Sequence, residues 1–172
     1  MTPLDNPHEL LYWVDANDTV LGSITREEAH THKQKIHRAI SIILTNDNYQ
    51  VLVQKRSATK DKYPGYWTVS CSGHVEYGSE YETTAAKELK EEIGIASPVQ
   101  MVTKFIVQLP TETEIIAVFT GHAPDSTTFL VDPTEVDQVK WIKITDLSSF
   151  TRHHKFTLSA LHAFRAVGYL KE

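Results

Sequence analysis

Gly73-His74-Val75-Glu76-Tyr77-Gly78-Ser79-Glu80, then the run from Tyr81 to Lys87, then Glu88-Leu89-Lys90-Glu91-Glu92-Ile93-Gly94-Ile95, is the stretch that decides the fold. Residues 82–93 read as a helix, and Gly94 suits its C-terminal cap. At about 100° per residue, Glu88, Glu91 and Glu92 fall within about 100° of one another. Ala85, Leu89 and Ile93 form the neighbouring apolar stripe. The helix therefore buries one face and presents three carboxylates beside it.

Two readings fit those carboxylates. They can form a solvated acidic face, with Lys87 and Lys90 relieving repulsion through spaced pairs. However, acids near a helix C-terminus stand at the unfavourable end of its dipole. A divalent cation removes that conflict. Mg²⁺ takes carboxylates together with phosphate oxygens. It also activates water for attack on phosphorus.

Outward from the helix the chain reads as strands. On the N-terminal side, Leu10 to Val14 is a short apolar run before the turn Asp15-Ala16-Asn17-Asp18. Residues 26–36 are polar and read as a loop over the body of the domain. Ala39 to Leu44 reads as a buried strand, and Tyr49 to Lys55 completes a hairpin across Asn46-Asp47-Asn48. Residues 57–66 read as a loop and Trp67 to Cys71 as one short strand. On the C-terminal side, residues 99–109, 115–121 and 139–144 read as strands. Thr145 and Asp146 open a short helical turn, and residues 157–167 have the period of an amphipathic helix. This order predicts an α/β chain: a mixed sheet with helices packed on it, one domain over residues 1–172, with residues 1–9 loose.

A chain of 172 residues, 41% hydrophobic, supplies one core and is too short for two. The net charge of −5 argues against a nucleic-acid polymer as partner. Cys71 is the single cysteine, which excludes an intrachain disulfide and fits a reducing compartment. The first residues lack the basic start and apolar run of a secretory signal. No stretch approaches the roughly 18 apolar residues of a membrane span. The expectation is a cytoplasmic protein without a membrane partner.

The central segment resembles the Nudix box, Gx5Ex7REUxEExGU. Gly73, Glu88, Leu89, Glu91, Glu92, Gly94 and Ile95 occupy their pattern positions. Ser79 stands where the first Glu belongs, with Glu80 one place beyond it. Lys87 stands where Arg belongs, keeping charge but losing the guanidinium fork. The resemblance implies a Nudix-like α/β/α sandwich and cleavage of a diphosphate linkage with Mg²⁺ or Mn²⁺. Glu88, Glu91 and Glu92 would be catalytic metal ligands, with Glu91 binding metal or orienting water.

From Leu10 to about Phe164 the chain resembles the Nudix branch that includes isopentenyl diphosphate isomerase. That branch holds a metal with three histidines and two glutamates, and His30, His37, His74, Glu112 and Glu114 stand at the matching places. This implies a second metal site, of a kind suited to Mn²⁺ or Zn²⁺. Read without the resemblance, His30 and His37 are surface residues and His74 a turn residue. His32, His153 and His154 read as surface residues either way. Arg26, Arg56 and Lys60 match positions that hold the diphosphate; the alternative is a basic surface patch. Trp67 reads as packing, while Tyr77 and Tyr81 flank the box.

Three positions depart from the isomerase. Its protonating cysteine falls at Ser72, and Cys71, one residue away, turns to the other face. Its carbocation-steadying aromatic residue falls near Ser159. A phosphate-binding Arg corresponds to Glu88. The expected function is therefore metal-dependent hydrolysis of a small organic diphosphate, such as a nucleoside diphosphate derivative. Isopentenyl diphosphate isomerase and a non-catalytic diphosphate-binding protein are the alternatives. The oligomeric state stays open, a homodimer included.

Overall fold

The computed structural model describes residues 6–171. Its first strands are β1 (Leu10–Val14) and β2 (Val20–Thr25), followed by the short helix α1 (Arg26–Ala29). Next come β3 (Ile36–Thr45), β4 (Gln50–Arg56), β5 (Trp67–Thr68) and β6 (Cys71–His74). Helix α2 (Tyr81–Ile93) leads into β7 (Val99–Gln108), β8 (Thr113–His122) and β9 (Val136–Lys143). The chain closes with α3 (Ile144–His153) and α4 (Leu158–Ala166).

The nine strands of the described residues form one mixed sheet. β3 runs parallel to β8 from His37 to Thr45, while its pairings with β1, β4 and β6 are antiparallel. Alternation along β3 sends Ile40, Ile42 and Leu44 to one side, where they meet Ala85, Leu89 and Ile93 of α2. Ala39 and Ile43 face the other side, against Ala160, Ala163 and Phe164 of α4. Complete burial of a side chain such as Leu89 contributes roughly 1.5–3 kcal/mol. The result is the expected α/β/α sandwich built as a single domain.

The expected hairpin of β3 and β4 is not a continuous ladder. The two strands share one register pair, Thr45 with Val51, and then separate. Beyond it, β3 pairs with β6, and β4 pairs with β5 and β9. Ser70 stands at the fork. Its hydroxyl accepts from Leu44 N at 2.8 Å and donates to Leu52 O at 2.7 Å. Those are backbone groups that a continued hairpin would have paired with each other. The same residue, with Val69, breaks the expected strand Trp67–Cys71 into β5 and β6.

Two other expectations change near the N-terminus. Thr25 and Glu28 form a reciprocal capping box that starts α1 inside the expected loop. Of the expected loose segment 1–9, residues 1–5 lie outside the described residues. Residues 6–9 are tied to α1 by Glu27 N to Pro7 O at 3.1 Å and Arg26 N to Glu9 O at 2.8 Å. Among the described residues no helix is long and apolar enough to cross a membrane.

Candidate active site

The fork between β3 and β4 opens into a cleft of about 1030 Å³. Glu88, Glu91 and Glu92 line it, together with Arg26, Arg56, Lys60, His30, His74, Glu112 and Glu114. Every candidate position read from the sequence thus reaches this cleft except His37, which lies fully buried beside it.

Helix α2 carries the three glutamates to the rim. Gly94, at φ 72°, ends the helix, and its N–H donates to Leu89 O. Glu92 is 5% exposed and Glu91 is exposed to solvent. Gln54 Nε2 on β4 donates to Glu92 Oε2 at 3.0 Å, and the Ser72 N–H approaches the same oxygen at 3.4 Å. Burial pushes the Glu92 carboxyl up to about 7 against the lowering effect of Gln54. Burial also raises Glu88 well above the usual range, helped by its neighbours Glu92 and Glu91. The Glu88 side chain fits against Gly73, where a Cβ would stand 2.5 Å from its Oε1.

The second group lies on the other face of β6. His30 follows α1, His37 sits on β3, His74 ends β6, and Glu112 and Glu114 flank the start of β8. Nitrogen and oxygen atoms of His30, His37, His74 and Glu112 lie within 4.8 Å of one another. His30 Nε2 is 2.9 Å from Glu112 Oε2 and 3.3 Å from His74 Nε2. Glu114 Oε1 is 3.5 Å from Nε2 of both His37 and His74. The two-residue spacing brings both carboxylates to one cluster, as expected for an extended segment.

This donor set fits a divalent cation. Both ring nitrogens of His37 are buried without a hydrogen bond among the described residues. Each such atom costs about 1–3 kcal/mol unless something satisfies it. Burial lowers the His74 pKa to about 4, so its imidazole is neutral, the form that ligates metals. Burial alone would raise Glu114, but the imidazoles of His37 and His74, each 3.5 Å from its Oε1, hold it far below the usual carboxylate range.

The three basic candidates are braced differently. Arg56 Nε and NH2 both donate to Lys62 O, at 3.1 and 3.0 Å. Lys60 Nζ donates to Glu135 Oε2 at 2.8 Å. Arg26 lies 3.6 Å from Glu9 and 3.9 Å from Asp61. All three line the cleft.

The NUDIX domain profile matches residues 35–164 of this chain. The chain belongs to the Nudix family. It is 36% identical over 144 residues to a Photorhabdus laumondii protein named Isopentenyl-diphosphate Delta-isomerase 2, covering 81% of this chain and 80% of that one. It is 42% identical over 91 residues to an uncharacterized Nudix hydrolase of Pseudomonas aeruginosa, 53% of either chain. A Deinococcus radiodurans crystal structure superposes with a TM-score of 0.78 at 22% identity, over 91% of this chain and 98% of that one, which shows the shared fold.

The departures from the Nudix box are legible in the structure. Glu80 is the exposed N-cap of α2 and does not line the cleft. Glu76 does line it and pairs closely with Lys87, which stands at the box arginine position. Ser72 faces the cleft, whereas Cys71 is buried in the α2-side core, where burial raises its thiol pKa. Trp67 packs edge-on against Phe150, as expected of a packing residue. His32, His153 and His154 are exposed.

Sequence reading missed four neighbours of this Nudix site: Gln54, Lys62, Glu76 and Glu135. Lys62 Nζ lies 3.3 Å from Glu112 Oε1. Apart from Glu76, which lies inside the box, these residues come from strands and loops distant in sequence, and none has a local pattern that marks it.

Proposed function

We propose that this Nudix protein hydrolyses a diphosphate linkage in a small organic diphosphate, a class that includes nucleoside diphosphate derivatives, with Mg²⁺ or Mn²⁺ held by Glu88, Glu91 and Glu92. The observation that carries this reading is a crowded carboxylate group at the rim of a cleft whose walls also hold Arg26, Arg56 and Lys60. Like charges at that separation from solvent call for a positive partner. A cation bound there supplies it, offsets charge on the diphosphate oxygens and lowers the pKa of water.

The chain's own groups do the rest. Gln54 holds Glu92 in one orientation. Arg56, with its fork anchored on Lys62 O, and Lys60 stand on the wall where phosphate oxygens would lie. The His/Glu cluster is proposed as a second metal site, for Mn²⁺ or Zn²⁺.

That cluster, with the isomerase name of the Photorhabdus relative, favours a second reading: isopentenyl diphosphate isomerisation. Ser72 argues against it, because the side chain facing the cleft at that position lacks a readily ionised thiol. A panel of organic diphosphates, assayed separately with Mg²⁺ and Mn²⁺ and with products identified, decides between them. Phosphate or phosphomonoester release that Glu92→Gln reduces by at least about 100-fold supports hydrolysis. Rearranged isopentenyl diphosphate without phosphate release supports isomerisation. Binding without turnover of any member would leave a binding protein.

A further inference from the structure

Alongside Ala39, Ile116 and Leu109, the cleft is lined by hydroxyl groups that the protein does not fully satisfy. Ser41 on β3 and Ser72 on β6 are register partners, so both side chains point to the same face of the sheet. Both line the cleft, and Ser41 is only 2% exposed. Neither side-chain hydroxyl has a hydrogen-bond partner among the described residues.

Three more hydroxyls of the cleft lining form a chain of their own. Ser159 Oγ donates to Thr157 Oγ1 at 3.3 Å, and Thr157 Oγ1 donates to Thr68 Oγ1 at 3.1 Å. Thr68 is 2% exposed, and its own proton has no acceptor among the described residues. All three line the cleft.

A poorly solvated hydroxyl facing an alkyl chain stays unsatisfied, at about 1–3 kcal/mol for each group. A ligand hydroxyl removes that penalty, because each oxygen both donates and accepts. Sites built to hydrogen-bond a substrate reject the analogue that lacks those groups far more strongly than apolar pockets reject an extra one. None of the five side chains offers a flat face for stacking a base.

We propose that this chamber is a specificity subsite for a compact, hydroxylated aliphatic group, a sugar or polyol, esterified to the diphosphate. The inference rests on the diphosphate reading above and adds the substrate class. It disfavours a prenyl chain of equal size.

The test compares ribitol 5-diphosphate with isopentenyl diphosphate, which carry five carbons each. The parent protein should use the ribitol ester with a kcat/KM at least about 100-fold higher. Ser41→Ala and Ser72→Ala should each lower that ratio about tenfold, with circular dichroism unchanged. Equal or better use of isopentenyl diphosphate, or a ratio that neither substitution moves, overturns the proposal. Calorimetry on Glu92→Gln in Mg²⁺ tests the chamber without turnover. Tighter binding of the ribitol ester supports it, and equal or weaker binding overturns it. Release of phosphate from methyl diphosphate by the parent tests the hydrolase reading by itself, since that probe has no group for the chamber.

Discussion

Glu88 rests on the bare backbone of Gly73: a Cβ added there would lie 2.5 Å from Glu88 Oε1 and 2.6 Å from Cδ. One box residue thereby sets where another can place its carboxylate. Gly73→Ala should displace Glu88 and lower turnover about 100-fold at little cost in stability, because only the flexible end of the Glu88 side chain has to move. Steady-state kinetics at saturating Mg²⁺ together with urea unfolding separate the two effects. Parent-like kcat in this variant would remove Glu88 from the catalytic set.

Metal binding should be coupled to the proton on Glu92. Burial raises this carboxyl from 4.5 to about 7, so between those values the folded state holds more protons than the unfolded one. Metal-free protein should therefore lose stability from this group as pH rises through that window. Mg²⁺ requires the carboxylate, so its affinity should rise from about pH 6 to about pH 8, with proton release. Calorimetry in buffers of different ionisation enthalpy measures that release, and Glu92→Gln should reduce it, the remainder coming from Glu88, whose carboxyl is raised as well.

Asp18 should make the fold sensitive to acid. Arg38 Nε and Lys104 Nζ each approach its carboxylate to 2.6 Å, and the Tyr81 hydroxyl donates to both oxygens at 3.2 Å. Burial works to raise the Asp18 pKa, but the bonds from Lys104 and Arg38 outweigh it and hold the group below 3.8. Its contribution is fully present above 3.8 and is lost as pH falls through the depressed folded value. Asp18 adopts φ 67°, which Asn also tolerates, so Asp18→Asn isolates the charge. The variant should lose about 2 kcal/mol at neutral pH and show a flatter acid limb in urea midpoints.

Ser70 should matter for stability well beyond its size. Its hydroxyl bridges Leu44 N and Leu52 O at the point where β3 and β4 part. Ser70→Ala leaves two buried backbone groups without that bridge and should cost about 2–4 kcal/mol in chemical denaturation. A loss below about 0.5 kcal/mol would mean that the strands close the gap themselves.

Much of the fold was readable because its signals are local. Helix α2 runs from Tyr81 to Ile93, within one residue of the expected start, because its apolar period and Gly94 cap both lie inside the segment. β1, β7, β8 and α4 also fall close to their expected places. The pairing of β3 was not readable in the same way. Alternation marks a strand, but it does not name the neighbour, and β3 takes β8 in parallel and β6 after the fork. The capping box of α1 was a local signal, and it lay unread within a polar stretch.

By itself, the sequence determined the carboxylate face of α2 and its offset from the buried stripe, since both follow from helix geometry over twelve or so residues. It also supplied, through resemblance, the identities of the histidines and of Glu112 and Glu114. Only the tertiary structure decided that His30, His37, His74 and Glu112 meet within 4.8 Å, because they come from four segments that the sheet brings together. It alone decided which groups lose water, and with that the pKa of Glu92 and the unpartnered ring nitrogens of His37. Burial is a property of what packs around a side chain, and no local pattern carries it.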